Sequence, residues 1–176
     1  EILRCLVGSE MCIRDRYKDI QIDGLFKQKK FDGDIISKDT NMYLFVRGMV
    51  DLNEELPKFD ILGNIPNINF KNVNITKEDI GLQVDTFDIN IEGNNLDNFV
   101  GTLSIRGIQG HRGEIHSDLD RIYVEAKNVP DPDSASANTR VIHLNSDIID
   151  VNIYGEYDVV NLVKSIEHFI KINHPN

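Results

Sequence analysis

The histidines and cysteines are the side chains of this 176-residue chain best suited to hold a metal ion or act as a nucleophile. His111 and His116 flank Glu114 in Gly-His-Arg-Gly-Glu-Ile-His, and His143 is the further histidine that could be imagined to join them. The spacing matches no zinc pattern, in which ligands come as closely spaced Cys or His pairs. The surrounding glycine-rich turn points to solvated side chains. Gly107 to Gly113 is rich in glycine, but no Lys-Ser/Thr follows and no helix opens there, so it is not a phosphate-cradling loop. No Gly-x-Ser-x-Gly is present. Acid pairs such as Asp118 and Asp120 read as solvated carboxylates more readily than as a calcium-binding turn. Asn74-Ile75-Thr76 is a formal glycosylation triplet, meaningful only in a eukaryotic secretory protein. Nothing here favours an enzyme, and the expectation is no catalytic residue, no metal and no cofactor.

Both cysteines, Cys5 and Cys12, fall within the first 16 residues. That stretch, containing Leu6-Val7-Gly8-Ser9-Glu10-Met11-Cys12-Ile13-Arg14-Asp15, resembles the translation of a transposon-based sequencing adapter. It lacks the long apolar segment and small-residue cleavage site of a signal peptide. Residues 1–16 are therefore expected to be an artefactual, disordered leader, and the remainder an internal fragment of a longer protein without cysteine. Neither a disulfide scaffold nor a thiolate metal site is then expected. The net charge is −10, an acidic balance that argues against nucleic acid and against electrostatic docking on anionic lipid.

From residue 17 to residue 157 the dominant pattern has a period of two. Ile20 and Ile22 alternate with polar neighbours, as do Met42, Leu44 and Val46, then Leu103 and Ile105, Ile122, Val124 and Ala126, and Ile149, Val151 and Ile153. Strict alternation marks strands with one apolar and one polar face. Leu82 and Val84 stand in one phase and Phe87, Ile89 and Ile91 in the other, which predicts a bulge or bend after Thr86. Turn signals at 27–30, Gly63-Asn64, 93–95, 107–113 and the polar stretch 130–138 divide the chain into roughly ten strands, an antiparallel meander. Asp158 is a good N-cap, and Val159, Leu162, Val163, Ile166, Phe169 and Ile170 follow helical spacing, so 158–173 is expected to be one amphipathic helix. Residues 53–56, before Pro57, are expected to form a short helical turn. A loose repeat links 39–53 to 147–161, each an alternating run with a glycine and then an Asp three residues on: Gly48 with Asp51, Gly155 with Asp158.

One convincing helix cannot cover the apolar side of some ten strands. Either two such faces meet in a dry core about 10 Å thick, or one face stays open as a binding strip. The residues expected to line such a strip are Leu44, Val46, Ile89, Ile91, Leu103, Ile105, Val124, Ile149, Val151 and Ile153.

Several phrases resemble TamB-type proteins of the AsmA-like superfamily in their Bacteroidetes form. They are Lys30-Phe31-Asp32-Gly33, the Asp39 to Asn53 unit, Leu56-Pro57-Lys58-Phe59-Asp60, Asn72 to Lys77, Ile91 to Asn98, and Gly155-Glu156-Tyr157-Asp158 with its helix. The resemblance covers 17–176 and rests on the order and number of these strand–turn phrases. It implies a mainly β fold: a long twisted antiparallel sheet curled lengthwise into a taco or gutter with an apolar inner face, over 17–157, followed by the C-terminal helix. It further implies a parent anchored in the inner membrane of a Gram-negative bacterium and crossing the periplasm. Such a protein conducts phospholipid toward the outer membrane, and supports outer-membrane biogenesis with an Omp85-type partner, TamA, contacted through regions outside this chain. Exposing a two-tailed lipid with about thirty methylenes to water costs on the order of 24 kcal/mol at ~0.8 kcal/mol per methylene, so a continuous apolar path is what such transport needs. A structural or adhesive β-repeat protein with a closed dry core and no lipid ligand is the alternative expectation.

Overall fold

A computed structural model describes residues 2–7, 19–95, 97–131 and 134–155. Ten strands follow one another in chain order: β1 (Ile2–Val7), β2 (Ile20–Lys27), β3 (Lys30–Asp39), β4 (Met42–Asp51), β5 (Lys58–Asn69), β6 (Ile80–Glu92), β7 (Val100–Arg112), β8 (Ile115–Asp131), β9 (Ser134–Ser146) and β10 (Asp150–Tyr154). Each pairs antiparallel with the next, and the order in the sheet is the order in the chain. The strands from Ile20 onward make one open antiparallel sheet, a mainly β fold with no helix among the described residues. The expected helix over 158–173 lies outside the described residues. Of the expected leader, Ile2–Val7 is described, and it runs along the outer edge of β2 from Ile2 opposite Leu25 to Val7 opposite Ile20. An apolar, β-branched segment beside an unpaired strand edge has backbone partners ready for it.

Several local expectations change. Gly63 and Asn64 form no turn: both lie inside β5, where the register to its neighbours slips. That slip, between Gly63 and Ile65, sits opposite the Val84–Phe87 stretch of β6, where the apolar phase switches. Gly107 is also inside a strand, at φ +60, and the β7–β8 reversal comes at Gly113, φ +58. Of the polar 130–138 stretch, Pro130 and Asp131 end β8 and 134–138 begin β9, so its described residues are strand. Residues 53–56 are bends, not a helical turn. The Asp51 carboxylate there accepts the Asn53 amide at 3.0 Å, a local closure that satisfies the backbone without helix.

Among the described residues, strand backbones come close together only between neighbours in the sheet. Buried hydrophobic side chains are correspondingly scarce among the described residues: Ile68, Val73, Val84, Ala126, Val141 and Ile142. Val73 belongs to the 70–79 connection, which is tied down by Ile75 N–H to the Phe70 carbonyl at 2.9 Å. An Asn72 to Asn41 side-chain bond of 2.9 Å reaches from it to the β3–β4 turn.

Several glycines stand where neighbouring strands come close. Gly24, Gly33 and Gly48 face one another across β2, β3 and β4. A Cβ on Gly33 would lie 2.5 Å from the Gly24 Cα, and one on Gly48 would lie 2.7 Å from the Ile61 Cα. On Gly24 it would meet the Gly33 Cα at 2.9 Å, and on Gly101 the Ile91 Cα at 2.9 Å. Side chains of a flat pair stand clear of the facing strand, with paired Cβ atoms about 4.5–5.5 Å apart. At these points the neighbouring strand leans over the side to which a side chain would point. The Gly48 site leaves no room for even a methyl group, so Gly48→Ala is expected to lower the unfolding free energy by about 1–3 kcal/mol. At Gly110 a Cβ meets nothing closer than 3.7 Å, and Gly110→Ala is expected to be neutral or stabilising by up to about 1 kcal/mol. Chemical denaturation of the two variants checks the contrast, and equal effects would contradict it.

Candidate functional site: an apolar face read across the strands

Register turns the separate alternations into rows. One row runs Ile22, Ile35, Val46, Gly63, Phe87, Ile105, Ile122. The next runs Gly24, Gly33, Gly48, Ile61, Ile89, Leu103, Val124, Leu144, Val151. A third runs Phe26, Phe31, Val50, Phe59, Ile91, Gly101, Ala126, Ile142, Ile153. Members of the rows are two residues apart on each strand, so the three rows share one side of the sheet. The leaning glycines belong to the same rows.

Of the residues expected from sequence, Val46 and Ile105 lie in the first row, Ile89, Leu103, Val124 and Val151 in the second, and Ile91 and Ile153 in the third. Leu44 pairs with Ser37 and keeps the side of Val46, next to the register shift at Tyr43/Phe45. Ile149 precedes β10, and its carbonyl accepts the Ser146 N–H at 2.7 Å in the β9–β10 turn. It is 49% exposed and outside the rows. The others are half-buried. Sequence reading missed the contributions of β3, β5 and β9: Phe31 and Ile35, Phe59 and Ile61, Ile142 and Leu144. Their alternation is broken by Gly33, by Gly63 and Pro66, or by the adjacent pair Val141-Ile142. The usable signal was cross-strand pairing of aliphatics, which one strand alone does not display.

Two phenylalanine rings fill the spaces that glycines leave. The Phe31 ring lies 2.9 Å from where a Cβ on Gly24 would stand, and the Phe87 ring 2.7 Å from that of Gly63.

The other side of the sheet is mainly polar, though Leu25, Phe45 and Leu62 also stand on it. A row there reads Asp23, Asp34, Arg47, Leu62, Asp88, Ser104, Tyr123, Asn145, Asp150. The Arg47 guanidinium donates to both Asp34 oxygens, at 2.7 and 2.9 Å, and lies 5.6 Å from the Phe45 ring centroid. These charge-assisted bonds hold the Asp34 carboxyl below its ordinary value. Asp150 is lowered in the same direction, first by His143 at 2.9 Å and then by the Asn145 amide at 3.0 Å.

The histidines do not converge. His111 and His116 face each other at the end of the β7–β8 hairpin, with ring centroids 5.9 Å apart. His143 aligns through Glu125 with Thr102 of β7. Nine residues separate Thr102 from His111, about 30 Å of extended chain. Among the described residues no group of three or more His, Cys, Asp or Glu side chains is placed to hold a metal ion.

Comparison with protein-family models, with curated proteins and with solved structures gives no match.

The Asp34–Arg47 pair yields a pH test. A carboxyl whose folded pKa is depressed stabilises the fold above its unfolded value, near 3.8, and that contribution disappears as pH falls through the lower folded value. Arg47→Gln should therefore be less stable than the parent at neutral pH, and the difference should shrink below the ordinary carboxylate range. Urea midpoints compared at neutral and strongly acidic pH measure it; a difference that stays constant would contradict the assignment.

Proposed function

We propose that this chain is a segment of a lipid-conducting β-gutter, in which the three apolar rows form the inner surface and phospholipid acyl chains lie along them. The observation that carries this reading is a coincidence of sides. The strands lean over Gly24, Gly33, Gly48 and Gly101 toward the side that holds the aliphatic rows. An open sheet that bends toward its greasy face makes a trough with a solvated, acidic exterior. Rows running across successive strands give a path along the sheet's long direction, which is the direction a lipid would have to travel.

The resemblance to TamB-type, AsmA-like proteins supports the same reading. Under it the segment works in the periplasm of a Gram-negative bacterium, within a parent anchored in the inner membrane, and serves outer-membrane biogenesis. Contact with an Omp85-type partner such as TamA would be made by regions outside this chain, and the C-terminal amphipathic helix would close one end of the trough. A protein of the closed, dry-core kind would press two apolar faces together about 10 Å apart. Here the aliphatic side chains of the rows are mostly only half-buried and few hydrophobic side chains are fully buried among the described residues, which favours the open alternative.

Site-specific photocrosslinking tests the proposal. A photoreactive residue at Val46, Ile91 or Val151 should capture phospholipid from vesicles, and one at Asp60, Asn90 or Asn152 on the polar side should not. Capture absent at all three apolar positions and at their neighbours Leu103 and Val124, or equal on both sides of the sheet, would sink it.

A further inference from the structure

We propose that the tip of the β2–β3 hairpin is a docking point for an anionic phospholipid surface. The tip is Phe26-Lys27-Gln28-Lys29-Lys30-Phe31, with Phe26 paired to Phe31 and Lys27 to Lys30, so the turn itself is Gln28-Lys29. It thus joins an aromatic pair to three lysines in four residues, in a chain whose net charge is −10. Lys30 stands 3.6 Å from Asp51, while Lys27 and Lys29 are exposed at the end of the hairpin. Large apolar side chains surround them: Leu25 is 46% exposed, Phe26 49% and Leu52 46%. Leu52 is held beside the tip by its N–H donating to the Lys29 carbonyl at 3.1 Å. Exposed apolar groups interleaved with lysines suit the boundary between acyl chains and anionic headgroups. The acids Glu54 and Glu55, farther along the β4–β5 connection, and the acidic polar side of the sheet would be repelled by the same surface, so the tip is the part able to approach it.

The backbone supplies a second, independent observation. Gln28 and Lys29 have φ of +48° and +59°. A two-residue hairpin turn of this kind ordinarily uses Asn-Gly or Asp-Gly, because other residues resist the left-handed conformation. A lysine kept where glycine would fold better points to a role for its charge, since strain of this sort persists where function needs it. The inference concerns how the protein meets a membrane, and it stands or falls apart from the acyl-chain path proposed above.

The chain has no tryptophan, so Leu52→Trp in the full chain, beside the tip and outside the three apolar rows, reports on the tip alone. Its emission should shift to the blue with vesicles of phosphatidylcholine and phosphatidylglycerol, and not with phosphatidylcholine alone. Tyr43→Trp, exposed at the opposite strand ends, should show no shift with either. Lys27→Gln with Lys29→Gln should weaken partition to the anionic vesicles about thirtyfold, from roughly 1 kcal/mol per lysine. The pair Gln28→Asn with Lys29→Gly should raise the thermal midpoint while weakening partition about fivefold by the same measure. That variant separates charge from folding, because it improves the turn. A shift in both tryptophan variants or in neither, or partition unaffected by loss of the lysines, would overturn the proposal. Photocapture at Val46 or Val151 could succeed or fail in either case.

Discussion

Cross-strand register is the constraint on which this structure depends. A strand has two faces, and a slip of one residue exchanges them. Nine successive strands from Ile20 to Tyr154 keep a register that sets apolar residues beside apolar residues, as in Ile89–Leu103–Val124–Leu144–Val151. Each hairpin need hold only one neighbour in phase, yet the result is rows that run across the whole sheet. Where the phase of the sequence changes, in β6, the pairing changes with it: β5 slips against β6 between Gly63 and Ile65, and Gly107 in β7 turns left-handed. The local irregularities therefore accompany a change of face in the sequence instead of ending the sheet.

Having rows on one side raises the question of shape. Large sheets twist and coil as a matter of course, and at Gly24, Gly33, Gly48 and Gly101 the neighbouring strand stands where a Cβ would reach. Glycine inside a strand is entropically unfavourable and contributes no side-chain packing. Its recurrence on one side, with Phe31 and Phe87 rings laid over two of the gaps, indicates that close approach of strands is what these positions supply. The polar side meets the opposite demand: it must stay wet. Its ion pairs, Arg47 with Asp34 and Lys127 with Glu125, lie between side-chain neighbours at the surface, and contribute modestly to stability. They keep charged groups paired at the solvated surface of that side. Over the described strands the sheet thus carries aliphatic rows on one side and mainly polar side chains on the other.

The alternating strands were legible because period two is imposed by the stereochemistry of the extended chain itself. Met42-Leu44-Val46, Leu103-Ile105 and Ile122-Val124-Ala126 each announce a strand with a greasy side, and each lies in one. β3, β5 and the start of β9 were harder, since Gly33, Pro66 and the polar run after Pro130 interrupt the pattern or imitate loops; pairing with neighbours on both sides overrides these local preferences. The Gly-x-x-Asp repeat was legible as a phrase but not in meaning. Gly48 lies within β4, pressed against Ile61, whereas Gly155 follows β10 at φ +103. The sequence alone therefore determined that the protein is built largely of two-faced strands in chain order and that its charge balance is acidic. Which strand faces align, where the sheet leans and which glycines are irreplaceable were decided only by tertiary structure. The physical reason is range: alternation is written between residues two apart, while register and bending depend on contacts between residues that meet only after the chain has paired.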